Sequence, residues 1–178
     1  SKGSVTLDGR DISKVPARRR AQSGLALVPQ GRMIFPRLSV KENLEVGLSA
    51  RTDGRRTIPE EIYELFPVLK EMGARQGGNL SGGQQQQLAI GRALVGEPRV
   101  LLLDEPTEGI QPNVIQAIGQ VLRRLVSEKE MTVVLVEQYV DFIKEFGDHF
   151  YIMNRGRVVA NGDTPQLSEA IVRQHLSV

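Results

Sequence analysis

The sequence of 178 residues contains no cysteine and no tryptophan, and aromatic residues make up only 4% of it. Without cysteine, the chain has no disulfide framework, no thiolate metal site and no cysteine nucleophile, which is compatible with a reducing cytosol. The low aromatic content argues against a stacking platform for single-stranded nucleic acid. The longest apolar runs, such as residues 100–103, are far shorter than the roughly 20 residues that span a bilayer.

The sequence also lacks a strong excess of charge of either sign. The 23 Lys and Arg residues nearly balance the 21 Asp and Glu residues, which leaves a net charge of +2. This balance argues against nucleic acid as a partner, and the run Arg18-Arg19-Arg20 is more typical of a solvated helix face. The composition and length are those of one globular domain.

Strands and helices alternate in the second half of the chain. Apolar residues predict strands over 100–104 and 133–137, and helices are predicted from Pro112 onward and over 139–146. This order predicts a parallel sheet covered by helices on both faces. The other predicted elements are a helix over 16–22, a buried strand over 25–28, helices over 39–48, 60–72 (interrupted by Pro67) and 82–95, a hairpin of residues 149–153 and 157–160, and a C-terminal helix capped by Thr164-Pro165.

Two adjacent carboxylates, Asp104 and Glu105, directly follow the apolar residues 100–103. In open α/β sheets, ligands bind beyond the carboxyl ends of such strands. One carboxylate can hold Mg²⁺, directly or through water, while the next orients and deprotonates an attacking water. On this pair alone, a solvated acidic turn is an equally good interpretation.

Residues 80–84 read Leu-Ser-Gly-Gly-Gln at the start of a predicted helix. Ser81 and Gln84 have capping-box spacing, so an ordinary helix start is one interpretation. Gly82 and Gly83 are poor helix formers, at about 1 kcal/mol each relative to alanine, and capping alone does not require them. Bare backbone lets an anion approach the exposed N–H groups and the positive end of the helix dipole, which favours a phosphate-binding turn.

A third candidate, Gln30, follows the predicted strand over 25–28. Taken alone it is an ordinary polar loop residue, and it becomes a site candidate only together with the carboxylate pair and residues 80–84. Residues 27–30 resemble the Q-loop of ABC transporter nucleotide-binding domains, residues 80–84 match the family signature at every position, and residues 101–107 resemble its Walker B strand. The resemblance covers essentially the whole chain. It implies a P-loop NTPase-like α/β fold, with residues 1–178 as a single partial domain and a helical subdomain at about residues 32–95.

The resemblance also assigns roles to the candidate residues. Asp104 would hold Mg²⁺ through water, Glu105 would be the general base, and Gln30 would sense the γ-phosphate and the metal. ATP would lie between two such subunits, so each site would need the signature of the partner chain. The residues that would contact the γ-phosphate of ATP on the opposite subunit are Ser81, Gly82, Gly83 and Gln84.

The sequence departs from the family pattern in three places. It contains no P-loop string Gly-x-x-x-x-Gly-Lys-[Ser/Thr], which in the family lies upstream of the strand that residues 5–7 resemble. We therefore expect this chain to be a fragment that starts after the P-loop and is inactive alone. Gln138 stands at the switch position, where most members have a histidine, and residues 108–112 replace the usual D-loop sequence.

The last two departures point to a subfamily. Glu137-Gln138 looks like the branch that drives uptake of branched-chain amino acids, and residues 84–94 with 108–112 look most like its urea-uptake relatives. The resemblance implies a peripheral protein on the cytoplasmic side of the bacterial inner membrane. Its partners would be transmembrane permease subunits, a second identical or related ATP-binding subunit and, indirectly, a substrate-binding protein.

Two other functions remain open at this point. One is a soluble ABC-type ATPase that works without a membrane subunit, and the other is a non-catalytic dimerisation or regulatory module. The apolar cluster of Ile34, Phe35, Pro36 and Leu38 is equally compatible with a core and with a surface that contacts a permease.

Overall fold

The computed structural model describes residues 3–175, which divide into two compact units. The first unit ends at Val136 and the second begins at Glu137. Across residues 3–175, no helix combines the length and the apolar character needed to cross a bilayer.

The first unit contains a small hairpin, a parallel sheet and a group of helices between the first two strands of that sheet. Its elements in chain order are β1 (Thr6–Leu7), β2 (Arg10–Asp11), α1 (Ala17–Gln22), β3 (Leu25–Val28), α2 (Val40–Gly47), α3 (Glu60–Leu65), α4 (Pro67–Glu71), α5 (Gly82–Leu94), β4 (Val100–Asp104), α6 (Pro112–Lys129) and β5 (Thr132–Val136).

Strands β3, β4 and β5 form a three-stranded parallel sheet with β4 in the middle. Val28 pairs with Leu103, and Asp104 pairs with Val136, so the carboxyl ends of the three strands lie side by side. One face of the sheet is buried, where Leu101 and Leu103 are at most 1% exposed. Helix α5 contacts β3, helix α6 contacts β5, and the two helices contact each other.

The other face of this sheet is open, and the predicted cover on both faces is wrong for the described residues. Leu27, Val134 and Val136 are 59%, 46% and 57% exposed. The register aligns Leu27 with Leu102 and Val134, so these side chains form one apolar row. The strands have the continuous apolar pattern of a sheet buried on two sides, yet one side keeps large apolar side chains exposed.

The helices between β3 and β4 pack around α5. Helix α5 contacts α2 and α4, and Leu44 and Leu88 are fully buried in this group. Ser39 caps α2 through a capping box with Glu42. The predicted break at Pro67 is present, since α3 ends at Leu65 and α4 begins at the proline, which has no N–H to donate.

Asn43 fastens the segment that leads into α2. Its side chain is completely buried, and its Oδ1 accepts a hydrogen bond from the Phe35 backbone at 2.8 Å. Its Nδ2 donates to the carbonyl oxygens of Phe35, Leu38 and Ser39. These bonds hold the backbone of residues 35–39 while the Phe35 ring stays 45% exposed.

The second unit contains α7 (Val140–Phe146), the antiparallel hairpin β6 (His149–Asn154) and β7 (Arg157–Asp163), and α8 (Glu169–His175). Phe150, Ile152 and Leu167 form its buried core. The prediction that Thr164-Pro165 caps the C-terminal helix is wrong, because these residues begin a short 3₁₀ turn that ends before α8.

Replacing Asn43 by alanine should destabilise the first unit by about 3 kcal/mol. The change leaves buried backbone groups of residues 35–39 without partners, at about 1–3 kcal/mol for each group that water does not reach. Urea unfolding followed by circular dichroism measures this loss. The matched control is Asn113→Ala, at an exposed position of α6, which should change stability by no more than about 0.5 kcal/mol. Equal effects of both changes would contradict a structural role for Asn43.

Candidate functional site

The candidate site lies where the three parallel strands end. Glu105 directly follows β4, and its backbone N–H donates to the carbonyl of Val136 at the end of β5, at 2.8 Å. Glu105 has a left-handed φ of +46°, which a residue with a side chain adopts only when its surroundings hold it there. This bend turns the chain away from the sheet and leaves the Glu105 carboxylate at the strand ends.

Gln30 reaches the same place from the neighbouring strand. Its Nε2 donates to Glu105 Oε2 at 2.8 Å and to Glu108 Oε2 at 3.1 Å. The structure therefore brings together Gln30 and Glu105, which are 75 residues apart in sequence. It adds Glu108, which the sequence presented only as part of an unusual segment and to which no role was assigned.

The oxygen atoms at these strand ends suit a hard cation. Within residues 3–175, no group of three or more His, Cys, Asp or Glu side chains is arranged to hold a metal ion alone. Asp104, Glu105 and the Gln30 amide still supply the carboxylate and carbonyl oxygens that Mg²⁺ prefers, and Mg²⁺ usually completes its shell with water and substrate phosphates. Because Gln30 donates through Nε2, its Oε1 stays available for such a contact. The donor set therefore fits Mg²⁺ held jointly with a phosphate ligand.

The first turn of α5 carries the signature residues. Ser81 and Gln84 form a capping box, in which Ser81 N–H donates to Gln84 Oε1 at 2.9 Å and Gln84 N–H donates to Ser81 Oγ at 3.3 Å. The capping box predicted from the spacing of Ser81 and Gln84 is therefore present. The Ser81 hydroxyl proton and the Gln84 side-chain N–H groups remain as donors toward an anion.

The two glycines in this turn have different surroundings. A Cβ on Gly83 would lie 2.9 Å from Val114 Cγ1 of α6, so Gly83 is needed for helix packing within the chain. Packing within the chain is therefore one reason for Gly83, beside the phosphate-binding turn that the sequence predicts. A Cβ on Gly82 would meet Arg32 and the Gly109 carbonyl only at 3.4 Å, which is ordinary contact. Packing does not require a glycine at position 82.

Gln138 lies in the second unit, in the turn before α7. The Glu137 carboxylate accepts the backbone N–H of Gln138 at 3.0 Å and that of Tyr139 at 3.2 Å. Glu137 therefore shapes the turn that carries Gln138, and the Gln138 residue is exposed within the described chain. A structural role for Glu137 was not foreseen, although a carboxylate just before a helix start is a familiar partner for backbone N–H groups.

Comparison with known proteins identifies the family. The family model described as ABC transporter matches residues 1–108 of this chain. The chain belongs to the ABC transporter family. The predicted ABC ATPase fold is confirmed by similarity to solved ATP-binding cassettes. A dimeric cassette, MJ0796, bound to ADP and phosphate has a TM-score of 0.82 and 25% identity, covering 92% of this chain and 74% of that one.

Curated ABC proteins show higher identity. The high-affinity branched-chain amino acid transport ATP-binding protein BraG of Pseudomonas aeruginosa is 40% identical over 158 residues, covering 88% of this chain and 67% of that protein. The probable branched-chain amino acid transport ATP-binding protein LivF of Archaeoglobus fulgidus is 36% identical over 170 residues, covering 94% of this chain and 71% of that protein. These relatives agree with the predicted branched-chain amino acid branch of the family.

Gly83→Ala should lower stability by about 1–3 kcal/mol, because the new methyl group overlaps Val114, whose side chain is stiff. Gly82→Ala is the matched control in the same turn, and its stability should stay within about 0.5 kcal/mol of the parent or rise. Thermal or urea unfolding of both variants measures the difference. The double change Gly83→Ala with Val114→Ala should cost less than the sum of the two single changes. Strict additivity would show that this contact does not explain Gly83.

Proposed function

We propose that the protein is the ATP-binding subunit of an ABC importer for branched-chain amino acids or urea. The observation that carries ATP hydrolysis is the 2.8 Å hydrogen bond between Gln30 Nε2 and Glu105 Oε2 at the carboxyl ends of two neighbouring strands. Similarity to BraG and LivF supports an amino acid as the substrate. The urea alternative rests only on residues 84–94 and 108–112 of the sequence.

In this proposal Glu105 is the general base. Its carboxylate, held by the Gln30 amide, takes a proton from a water molecule that attacks the γ-phosphorus of ATP. The bond from that phosphorus to the β-phosphate oxygen breaks, and ADP and phosphate leave. Asp104, through water, and the Gln30 amide would hold Mg²⁺. The ion, when bound, neutralises charge on the β- and γ-phosphates.

The signature residues act on a second nucleotide. Ser81, Gly82, Gly83 and Gln84 contact the γ-phosphate of ATP held by another ATP-binding subunit, identical or related. The remaining donors of Ser81 and Gln84 support this role, and so does Gly82, a glycine that packing within the chain does not require. The dimeric structure of MJ0796 supports such a pairing by its similarity. Gln138 acts as the switch residue and donates its side-chain N–H to the γ-phosphate, with no dependence on its own titration.

The helical subdomain at about residues 32–95 is the part that contacts the membrane partner. Met33 and Phe35 are 68% and 45% exposed, although the nearby backbone is fixed by Asn43. A rigid segment with exposed apolar side chains supports contact with a transmembrane permease subunit. The protein would then lie peripherally on the cytoplasmic side of the bacterial inner membrane and reach a substrate-binding protein only through the permease. Nucleic acid is not a partner in this proposal.

Glu105→Gln should abolish hydrolysis but keep ATP binding. Glutamine retains the shape and the polar contact but cannot take a proton, so turnover should fall by at least about a hundredfold. Phosphate release and binding of a fluorescent ATP analogue measure the two effects in a chain that carries a P-loop segment ahead of residue 1. Glu71→Gln, an exposed change elsewhere in the chain, is the control for the lost charge. Hydrolysis at the parent rate by Glu105→Gln would assign the proton to another group.

Residues 1–178 alone should not bind Mg-ATP tightly, because they contain no Gly-x-x-x-x-Gly-Lys loop to cradle the phosphates. They should also self-associate, because Leu27, Val134 and Val136 expose apolar surface beside an open strand edge. Titration calorimetry and light scattering test this against a chain with a P-loop strand and helix joined before residue 1. Micromolar binding by residues 1–178, or a well-behaved monomer, would contradict the expectation. Association without any ATP binding in either chain would instead favour a non-catalytic dimerisation module.

A further inference from the structure

The Arg32 side chain connects three parts of the first unit. Its Nη2 donates to the carbonyl of Glu108 at 2.9 Å. A Cβ built on Gly82 would lie 3.4 Å from both Nη1 and Nη2 of Arg32, so the guanidinium lies against the first turn of α5. Arg32 belongs to the segment that carries Gln30. Arg32 therefore connects the Gln30 segment, of which it is part, with the signature turn and with the turn that follows Glu105.

The backbone of Arg32 is also held in an uncommon conformation. Gly31, Arg32 and Met33 have consecutive positive φ angles of 75°, 68° and 48°. Arg92 of α5 donates through Nη2 to the Met33 carbonyl at 2.8 Å and to the Arg32 carbonyl at 3.4 Å. Burial lowers the pKa of the Arg92 guanidinium, which is stacked 5.2 Å from the Phe35 ring centre. The hydrogen bonds of Arg92 therefore hold the loop to α5, and the Arg32 guanidinium lies against the first turn of the same helix.

Helix stability does not explain this position of Arg32. A positive side chain at the N-terminus of a helix meets the positive end of the helix dipole and is disfavoured there. The hydrogen bond of its guanidinium goes to a backbone carbonyl, which binds an arginine less strongly than a carboxylate does. The shape of the side chain explains the position better, since the flat guanidinium fits between Gly82 and the Glu108 carbonyl.

We propose that Arg32 is a positioning residue that couples the two ATP sites of the dimer. This inference rests on the proposed function, in which Gln30 and Glu105 act on one ATP and the signature turn acts on the other. Because Arg32 touches both parts within one chain, movement of the signature turn toward one nucleotide shifts Gln30 and the turn after Glu105 at the other. Arg32 thereby transmits the state of one site to its neighbour.

The test uses the chain with a P-loop strand and helix joined before residue 1, as the parent and with Arg32→Ala, Arg32→Lys and the control Arg37→Ala. Arg37 is an exposed arginine in the same segment, so its removal changes the charge equally. Steady-state hydrolysis against ATP concentration yields kcat, the half-saturating concentration and the Hill coefficient, and ATP affinity is measured separately on the monomer. Thermal unfolding is recorded for each variant.

In Arg32→Ala we expect a Hill coefficient of about 1 and a kcat lowered about tenfold, with monomer affinity for ATP changed by less than about twofold. Arg32→Lys should recover part of the cooperativity, since lysine can donate to the Glu108 carbonyl but has no flat group to pack on Gly82. Arg37→Ala should behave as the parent. An unchanged Hill coefficient in Arg32→Ala, or an equal loss in Arg37→Ala, overturns the proposal. If Arg32→Ala does not fold, an unchanged Hill coefficient in Arg32→Lys overturns it in the same way.

Hydrogen exchange separates this inference from the proposed function. The backbone N–H groups of Glu108 and Ile110 close the turn after Glu105, and those of Ser81 and Gln84 take part in the start of α5. Loss of Arg32 should speed exchange at both places by about tenfold, whether or not ATP is hydrolysed. Faster exchange with no ATPase activity in the parent would remove the proposed function but leave the link. Exchange that is unchanged at either place removes the link.

Discussion

The parallel pairing of β3, β4 and β5 is the constraint on which the site depends. Because the strands run in one direction and their ends are level, residues that follow them meet at one edge of the sheet. The Glu105 backbone is bonded to the end of β5, and its side chain is bonded to Gln30 beyond the end of β3. A change in the pairing of any of the three strands would separate these groups.

Polar side chains then fix the loops that the sheet alone leaves free. Asn43 holds the backbone before α2, Arg92 holds the carbonyls of the loop after Gln30, and Arg32 ties that loop to the Glu108 carbonyl. Each of these bonds joins a side chain to backbone, so the loops keep their shape without a regular ladder of hydrogen bonds. Gln30 is therefore presented by a rigid segment although it lies outside every strand and helix.

The signature turn shows how two physical requirements share one short sequence. Gly83 leaves room for Val114 of the neighbouring helix, whereas Gly82 lies beside the Arg32 guanidinium, where a Cβ would make only ordinary contacts. Ser81 and Gln84 cap the helix and still keep donors for an anion. A substitution in this turn can thus reduce stability, nucleotide contact or both. Only measurements of stability and activity on the same variant distinguish these effects.

Local patterns along the chain were sufficient to locate the three parallel strands, the break at Pro67 and the carboxylates at Asp104 and Glu105. Such patterns depend on neighbours within a few residues, through periodicity, capping and the rigid ring of proline. Contacts between distant residues decided the rest. The bond from Gln30 to Glu108 and the contact of Gly83 with Val114 join elements that are far apart in sequence. The exposure of Leu27 likewise depends on what packs against the sheet. None of these has a period or a local signal, because packing geometry exists only once the chain has folded.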